Sequence, residues 1–143
     1  MLVRELMTTE VVAVPLGAFL DEAVDLMLQH DVGSVLVMDE STPVGIVTET
    51  DVLAIGSERE APFGDIAVGD AMSEELITGQ PNTTVSRAIE TMNEHGIKRL
   101  PIVEEFRVVG IVTISDVVRE HVALISEAYG RSDRRLDWTA EDD

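Results

Sequence analysis

Two tetrapeptides, Thr48-Glu49-Thr50-Asp51 and Thr113-Ile114-Ser115-Asp116, set hydroxyls and a carboxylate at the end of an apolar, β-branched run. A helical pattern follows each, so Asp51 and Asp116 stand at strand-to-helix junctions. An ionised carboxylate only accepts hydrogen bonds, and the vicinal hydroxyls of a ribose present two matched donors. Thr48, Thr50, Thr113 and Ser115 add hydroxyls, and the unpaired amides of a helix start favour phosphate. The same Thr-x-x-Asp spacing also caps an ordinary helix, and the residues alone leave both readings open. The chain's only lysine, Lys98, adjoins Arg99 at the mouth of an apolar strand. There the pair is either a charged grip for an anion or a guard against edge-to-edge strand pairing.

The two tetrapeptides belong to a longer duplication. Val44-Gly45-Ile46-Val47-Thr48-Glu49-Thr50-Asp51-Val52 returns as Val109-Gly110-Ile111-Val112-Thr113-Ile114-Ser115-Asp116-Val117, and the shift from Gly45 to Gly110, 65 positions, also overlays Met7 on Met72, Ala23 on Ala88, Met27 on Met92 and His30 on His95. Two copies make a paired module with a pseudo-twofold axis rather than a solenoid. His30 and His95 fall at helix ends, where imidazolium suits the dipole, and neither has metal-ligand spacing, so no metal site is assigned. With no nucleophile and base pair and no Gly-rich phosphate loop, no catalytic residue is assigned and the chain reads as a non-enzyme.

Each copy must position these groups with the same elements, β-α-β-β-α. In the first, residues 10–14 form a short apolar run closed by Pro15 and Gly17. Helical spacing covers 18–29, strands cover 35–38 and 44–47 around a hairpin connection at 39–43, and a second helix starts over 50–55. The second copy gives a strand at 76–78, a helix over 84–95 ended by Gly96, strands at 100–103 and 108–113, and a helix from Ser115 to about Tyr129. The fold class is α/β (α+β), with a first domain over 1–57, a linker over 58–65, a second domain over 66–123, and a helix extension and charged tail over 124–143. In the tail Leu136 and Trp138 are the only large apolar groups, so it is either disordered or an arm that docks Trp138 on a partner.

Composition bounds the partners. A net charge of −18 with ten basic residues repels nucleic acid and anionic membranes. Zero cysteine rules out disulfides and thiolate metal sites. No apolar run approaches the ~18 residues of a membrane span, and no N-terminal signal pattern appears, so the chain is expected in the cytoplasm. An acidic, lysine-poor chain that is still 45% hydrophobic resembles proteins of salt-accumulating microbes and points to a halophilic archaeon, the alternative being an ordinary acidic bacterial protein. At roughly 1 M salt the Debye length falls near 3 Å, leaving recognition to short-range contacts.

Together the paired units, Met7-Thr8 and Met72-Ser73 at the repeat starts, the Ile97-Lys98-Arg99-Leu100-Pro101-Ile102-Val103 strand and both Gly-Ile-Val-Thr-x-x-Asp endings resemble the cystathionine-β-synthase (CBS) domain family over residues 2–122. Two such domains in tandem resemble a Bateman module. The resemblance implies two units packed through their sheets about the pseudo-twofold axis, with two clefts for adenosine-containing ligands such as AMP, ADP, ATP or S-adenosylmethionine. It also implies a homodimer and regulation of a protein target. No cofactor is required, the adenosyl compound being a regulatory ligand.

Carried over residue by residue, the resemblance assigns ribose contacts to Asp51 and Asp116 and phosphate contacts to Lys98 and Arg99. It assigns adenine slots to Leu76, Ile77 and Ile97 in the second copy and Val11, Val12 and Val32 in the first. Those apolar residues are equally at home in a core. Gly33-Ser34 replaces Lys98-Arg99 in the first copy, which leads to the expectation that the cleft built around Asp116 fills first. The alternative is a scaffold whose clefts stay empty and whose dimer surface does the work.

Overall fold

The computed structural model describes residues 1–129; the charged tail and Trp138 lie outside the described residues. The duplicated runs form hairpins: β2 (Ser34–Asp39) pairs antiparallel with β3 (Thr42–Thr48), and β4 (Arg99–Glu104) with β5 (Arg107–Thr113), in the same register, each with a bulge. The first connection is tighter than the five residues expected. Asp39 pairs with Thr42 and Pro43 sits opposite Met38 at the bulge, where a missing N–H costs least. Only Glu40 and Ser41 turn the chain, Glu40 at φ 59°.

Helices follow as the periodicity requires, their ends shifted by at most three residues: α1 (Leu20–His30), α2 (Glu49–Glu58), α4 (Val85–His95) and α5 (Ile114–Tyr129). A short α3 (Val68–Ala71) opens the second copy, ahead of its strands. Gly96 takes the left-handed conformation that ends α4, at φ 63°, and its repeat partner Asp31 does the same after α1, at φ 53°. Leu20, Ala23 and Met27 on α1 and Ala88 and Met92 on α4 point into the cores.

The first strand of the second copy is a correction. In the first copy β1 (Ala13–Pro15) runs parallel to β2 and completes a three-stranded sheet, whereas residues 76–78 make no strand and only Gly79 bridges Ile102. Two prolines explain the difference. The Leu36 N–H donates to Val12 O at 3.0 Å and the Leu16 N–H to Met38 O at 2.8 Å; the repeat equivalents of the donors, Pro101 and Pro81, have no N–H to give. Only the bonds through Gly79 survive, its N–H to Pro101 O and the Val103 N–H to Gly79 O.

The copies of the sequence are not the units that pack. Val3, ahead of the first copy's strands, is fully buried in the second copy's core with Ala88, Met92, Leu100, Ile102 and Val112. Ile66 and Val68, ahead of the second copy's, are buried in the first copy's core against Leu20, Val35 and Val47. Backbone bonds fix the exchange: Val3 N–H to Thr83 O and Val68 N–H to Ala18 O. Further along the crossing segments, Thr8 bridges Ile111 on β5 and Ser73 bridges Ile46 on β3. These contacts interconvert under the 65-position shift with the copies exchanged, which is the pseudo-twofold relation. Each buried valine contributes about 1.5–3 kcal/mol, so the exchange helps hold two small cores together.

Candidate functional site

Both aspartates cap their helices. The Thr48 N–H donates to Asp51 Oδ2 at 2.8 Å, and the Asp51 N–H donates back to Thr48 Oγ1 at 3.3 Å; Thr113 and Asp116 repeat this at 2.9 and 3.0 Å. This reciprocal pair satisfies amides that a helix start leaves open. Capping does not exhaust the carboxylate, because only Oδ2 is used. In Asp116 the second oxygen, Oδ1, accepts from the Arg119 guanidinium at 3.0 Å. Asp51 Oδ1 accepts no hydrogen bond among the described residues, so the two carboxylates differ in what they offer a ligand.

Two clefts lie between the copies, with volumes of about 290 and 310 Å³, near the lower end of the usual range for small-molecule pockets. Each draws one wall from each copy. The first takes Thr48, Thr50 and Asp51 from the start of α2, and Leu76, Ile77, Ile97, Lys98 and Arg99 from the second copy. The other takes Thr113, Ser115 and Asp116 from the start of α5, and Val11, Val12 and Val32 from the first copy, with Gly33 and Ser34 where the first cleft has Lys98 and Arg99. All fourteen sequence-assigned residues therefore line one cleft or the other.

Their partition overturns one expectation. The repeat order joins Lys98 with Asp116, since both lie in the second copy; the structure sets Lys98 in the cleft of Asp51. The crossing segments are the cause, since Ser73 docks on Ile46 and carries Leu76 and Ile77 to the wall opposite Asp51. Arg99 lines both clefts, and its guanidinium approaches Glu49 at 3.7 Å.

Several lining residues were not singled out from sequence. Thr8 and Ser73 join opposite clefts, and their signal was present in the matched Met7-Thr8 and Met72-Ser73. Arg119 joins the Asp116 cleft through the i,i+3 spacing that sets it on Asp116. Glu75 is exposed but lines the Asp51 cleft, as Glu10 and Asp31 line the other. His30 and His95 are at helix ends: His95 Nδ1 lies 2.9 Å from Thr91 O, and His30 is 3.9 Å from Glu10. No group of three or more metal-ligating side chains occurs among the described residues, and no described helix is long and apolar enough to cross a membrane.

Comparison with known proteins gives the same duplication. The CBS domain family model matches twice, over residues 3–58 and 68–123. The CBS domain-containing protein YhcV of Bacillus subtilis is 36% identical over 115 residues, covering 80% of this chain and 81% of that protein. Several other curated relatives are longer, and the chain spans about half their length. Among solved structures, the CBS-domain containing protein ATU1752 from Agrobacterium tumefaciens superposes with a TM-score of 0.79 at 28% identity, over 85% of this chain and 99% of that one. The CBS domain pair of protein MJ0100, in complex with 5′-methylthioadenosine and S-adenosyl-L-methionine, shares the fold with a TM-score of 0.78 at 22% identity, over 86% and 97% of the two chains.

Proposed function

The chain belongs to the CBS-domain family, and from that premise we propose that it is a ligand-sensing regulatory module that binds an adenosine-containing compound, AMP, ADP, ATP or S-adenosylmethionine, between its two copies. The observation that carries this reading is the Asp51 cleft. One carboxylate oxygen without a hydrogen-bond partner among the described residues and two hydroxyls stand on one wall, and apolar Leu76, Ile77 and Ile97 stand with Lys98 on the other. A ribose suits the carboxylate, an adenine ring suits the apolar residues, and a phosphate suits the lysine. The 5′-methylthioadenosine and S-adenosyl-L-methionine bound by MJ0100 support this ligand class.

A ligand spanning the cleft would tie the start of α2 in one copy to the strands of the other. Its binding energy could then bias the angle between copies, to the extent that it prefers one arrangement. We place the output on a protein target reached from a homodimer. Leu53 on α2 and Val118 on α5, equivalent under the repeat, are 74% and 55% exposed, and such apolar positions gain from burial against a second copy. The acid-rich composition supports a cytoplasm of high salt.

Calorimetry of the purified chain in high salt with AMP, ADP, ATP, S-adenosylmethionine and NADH tests the ligand class. Saturable binding of at least one, weakened by Asp51→Asn, is the expected result. Folded protein that binds none of them would remove the nucleotide reading.

A further inference from the structure

Among the described residues Arg99 alone lines both clefts. Its side chain is 25% exposed and its guanidinium lies 3.7 Å from the carboxylate of Glu49, which is 70% exposed. The room it occupies exists because residue 33 is glycine: a Cβ there would collide with Arg99 Nη2 and meet Glu49 Oε1 at 2.6 Å. The repeat offers no second copy of this arrangement. Ser34 stands where Arg99 would recur and Ile114 where Glu49 would, so the module has one such guanidinium for two clefts.

Charge makes that single group decisive. With Arg99 turned to the Asp51 cleft, Lys98 and Arg99 face Asp51 and Glu75. The Asp116 cleft is left with Arg119, already bonded to Asp116, against Glu10, Asp31 and Asp116. A phosphate entering that second cleft would meet carboxylates with no uncommitted cation. With Arg99 turned the other way it would meet a guanidinium able to bind two oxygens at once.

We propose that Arg99 is a cation shared between the two clefts, so that a phosphate-bearing ligand held in one weakens the binding of a second in the other. The inference rests on the adenosyl reading above and adds the regulation of that site. Glu49 holds the guanidinium between the clefts while they are empty, and the first phosphate takes it. The other cleft then favours an adenosyl compound that carries no phosphate. Because the coupling is a free energy between sites, it acts equally in both directions.

The test is calorimetry of the full chain with AMP as the phosphate-bearing probe and adenosine as its phosphate-free counterpart. Asp51→Asn and Asp116→Asn each leave one cleft to report, with the Thr-x-x-Asp cap kept by the amide oxygen. Arg99→Gln should weaken AMP about tenfold in each of these single-cleft proteins and leave adenosine unchanged. In the otherwise unaltered chain it should weaken only the first AMP step, since the second already lacks Arg99. Glu49→Gln, an exposed change that spares the fold, should tighten the first AMP step about threefold. An effect of Arg99→Gln in only one single-cleft protein, or on both AMP steps of the chain with both clefts, would overturn the sharing while leaving the adenosyl reading intact. Failure of both AMP and adenosine to bind would overturn the sharing, and the adenosyl reading falls with it only where ADP, ATP and S-adenosylmethionine fail to bind as well.

Discussion

Asp51 and Lys98 line the same cleft, although one comes from each copy of the repeat. Neither copy holds a complete site by itself. The carboxylate and hydroxyls arrive on a helix start and the apolar slot and cation on a strand start, and only the exchange of crossing segments brings the halves together. A ligand bound there, as proposed, would sense the relation between copies rather than the shape of either.

On the proposed reading Lys98 should bear on phosphate and on little else. Lys98→Gln should weaken AMP about threefold to tenfold in low salt and leave adenosine unaffected, because an exposed ammonium acts on the ligand's charge. The difference should shrink as salt rises and the Debye length falls. Paired titrations of AMP and adenosine at two salt concentrations check both statements.

Asp51→Ala and Asp116→Ala should cost the fold similar amounts, about 1 kcal/mol each for a lost cap, measured by denaturant unfolding. Their effects on binding should differ. Asp51 offers an oxygen that no described residue uses, so its loss should weaken the tightest step for AMP and adenosine alike by about tenfold or more, in keeping with a hydrogen bond to a charged group. Asp116, bonded through both oxygens to Thr113 and Arg119, should leave that step within about twofold of its starting value.

The duplicated motifs announced the pseudo-twofold relation, the hairpins, the helices and the two Thr-x-x-Asp starts, because apolar periodicity and capping chemistry are local; Lys98, Arg99 and the apolar slot residues were assigned only through the family resemblance. The partition between clefts was not legible. Nothing in Met7-Thr8 or Met72-Ser73 says which copy the segment will pack on, since Val3 and Val68 would satisfy either core. Strand loss at residues 76–78 was written in the sequence, but in residues outside the segment: Pro81 and Pro101 remove donors whose role appears only once the register is known.

That loss should be measurable as uneven protection. Amide exchange should be slow at Leu16 and Leu36, whose N–H groups are bonded in the three-stranded sheet, and faster across residues 76–78, where the described structure has no ladder. Because Leu76 and Ile77 line the Asp51 cleft, saturating AMP should slow exchange in that segment. Equal protection of the two segments in the free protein would contradict the single bridge at Gly79.

The crossing segments depend on two close approaches. A Cβ on Gly45 would lie 2.6 Å from Met72 Sδ and 2.9 Å from the Ser73 carbonyl oxygen; on Gly110 it would lie 2.6 Å from Met7 Sδ and 3.0 Å from the Thr8 carbonyl oxygen. Gly45→Ala and Gly110→Ala should each destabilise the chain by about 1–3 kcal/mol, the usual cost of overpacking. The methionine can yield but the carbonyl, fixed by its bridge to the strand, yields less. Combining Gly45→Ala with Met72→Ala should therefore recover only part of the loss, as denaturant unfolding would read.

Leu53 and Val118 lie on α2 and α5, at positions the repeat makes equivalent, and both are exposed. The same helices begin with the cleft-lining residues Asp51 and Asp116, so a partner seated on Leu53 and Val118 would be one helical turn or less from the ligand. Leu53→Asp and Val118→Asp should shift the chain to monomer in sedimentation at micromolar concentration, through the loss of apolar burial and the entry of a carboxylate into the interface. If the homodimer carries the signal, AMP should still bind these variants while its effect on a target is lost. Dimers that persist in both variants would move the interface away from these helices.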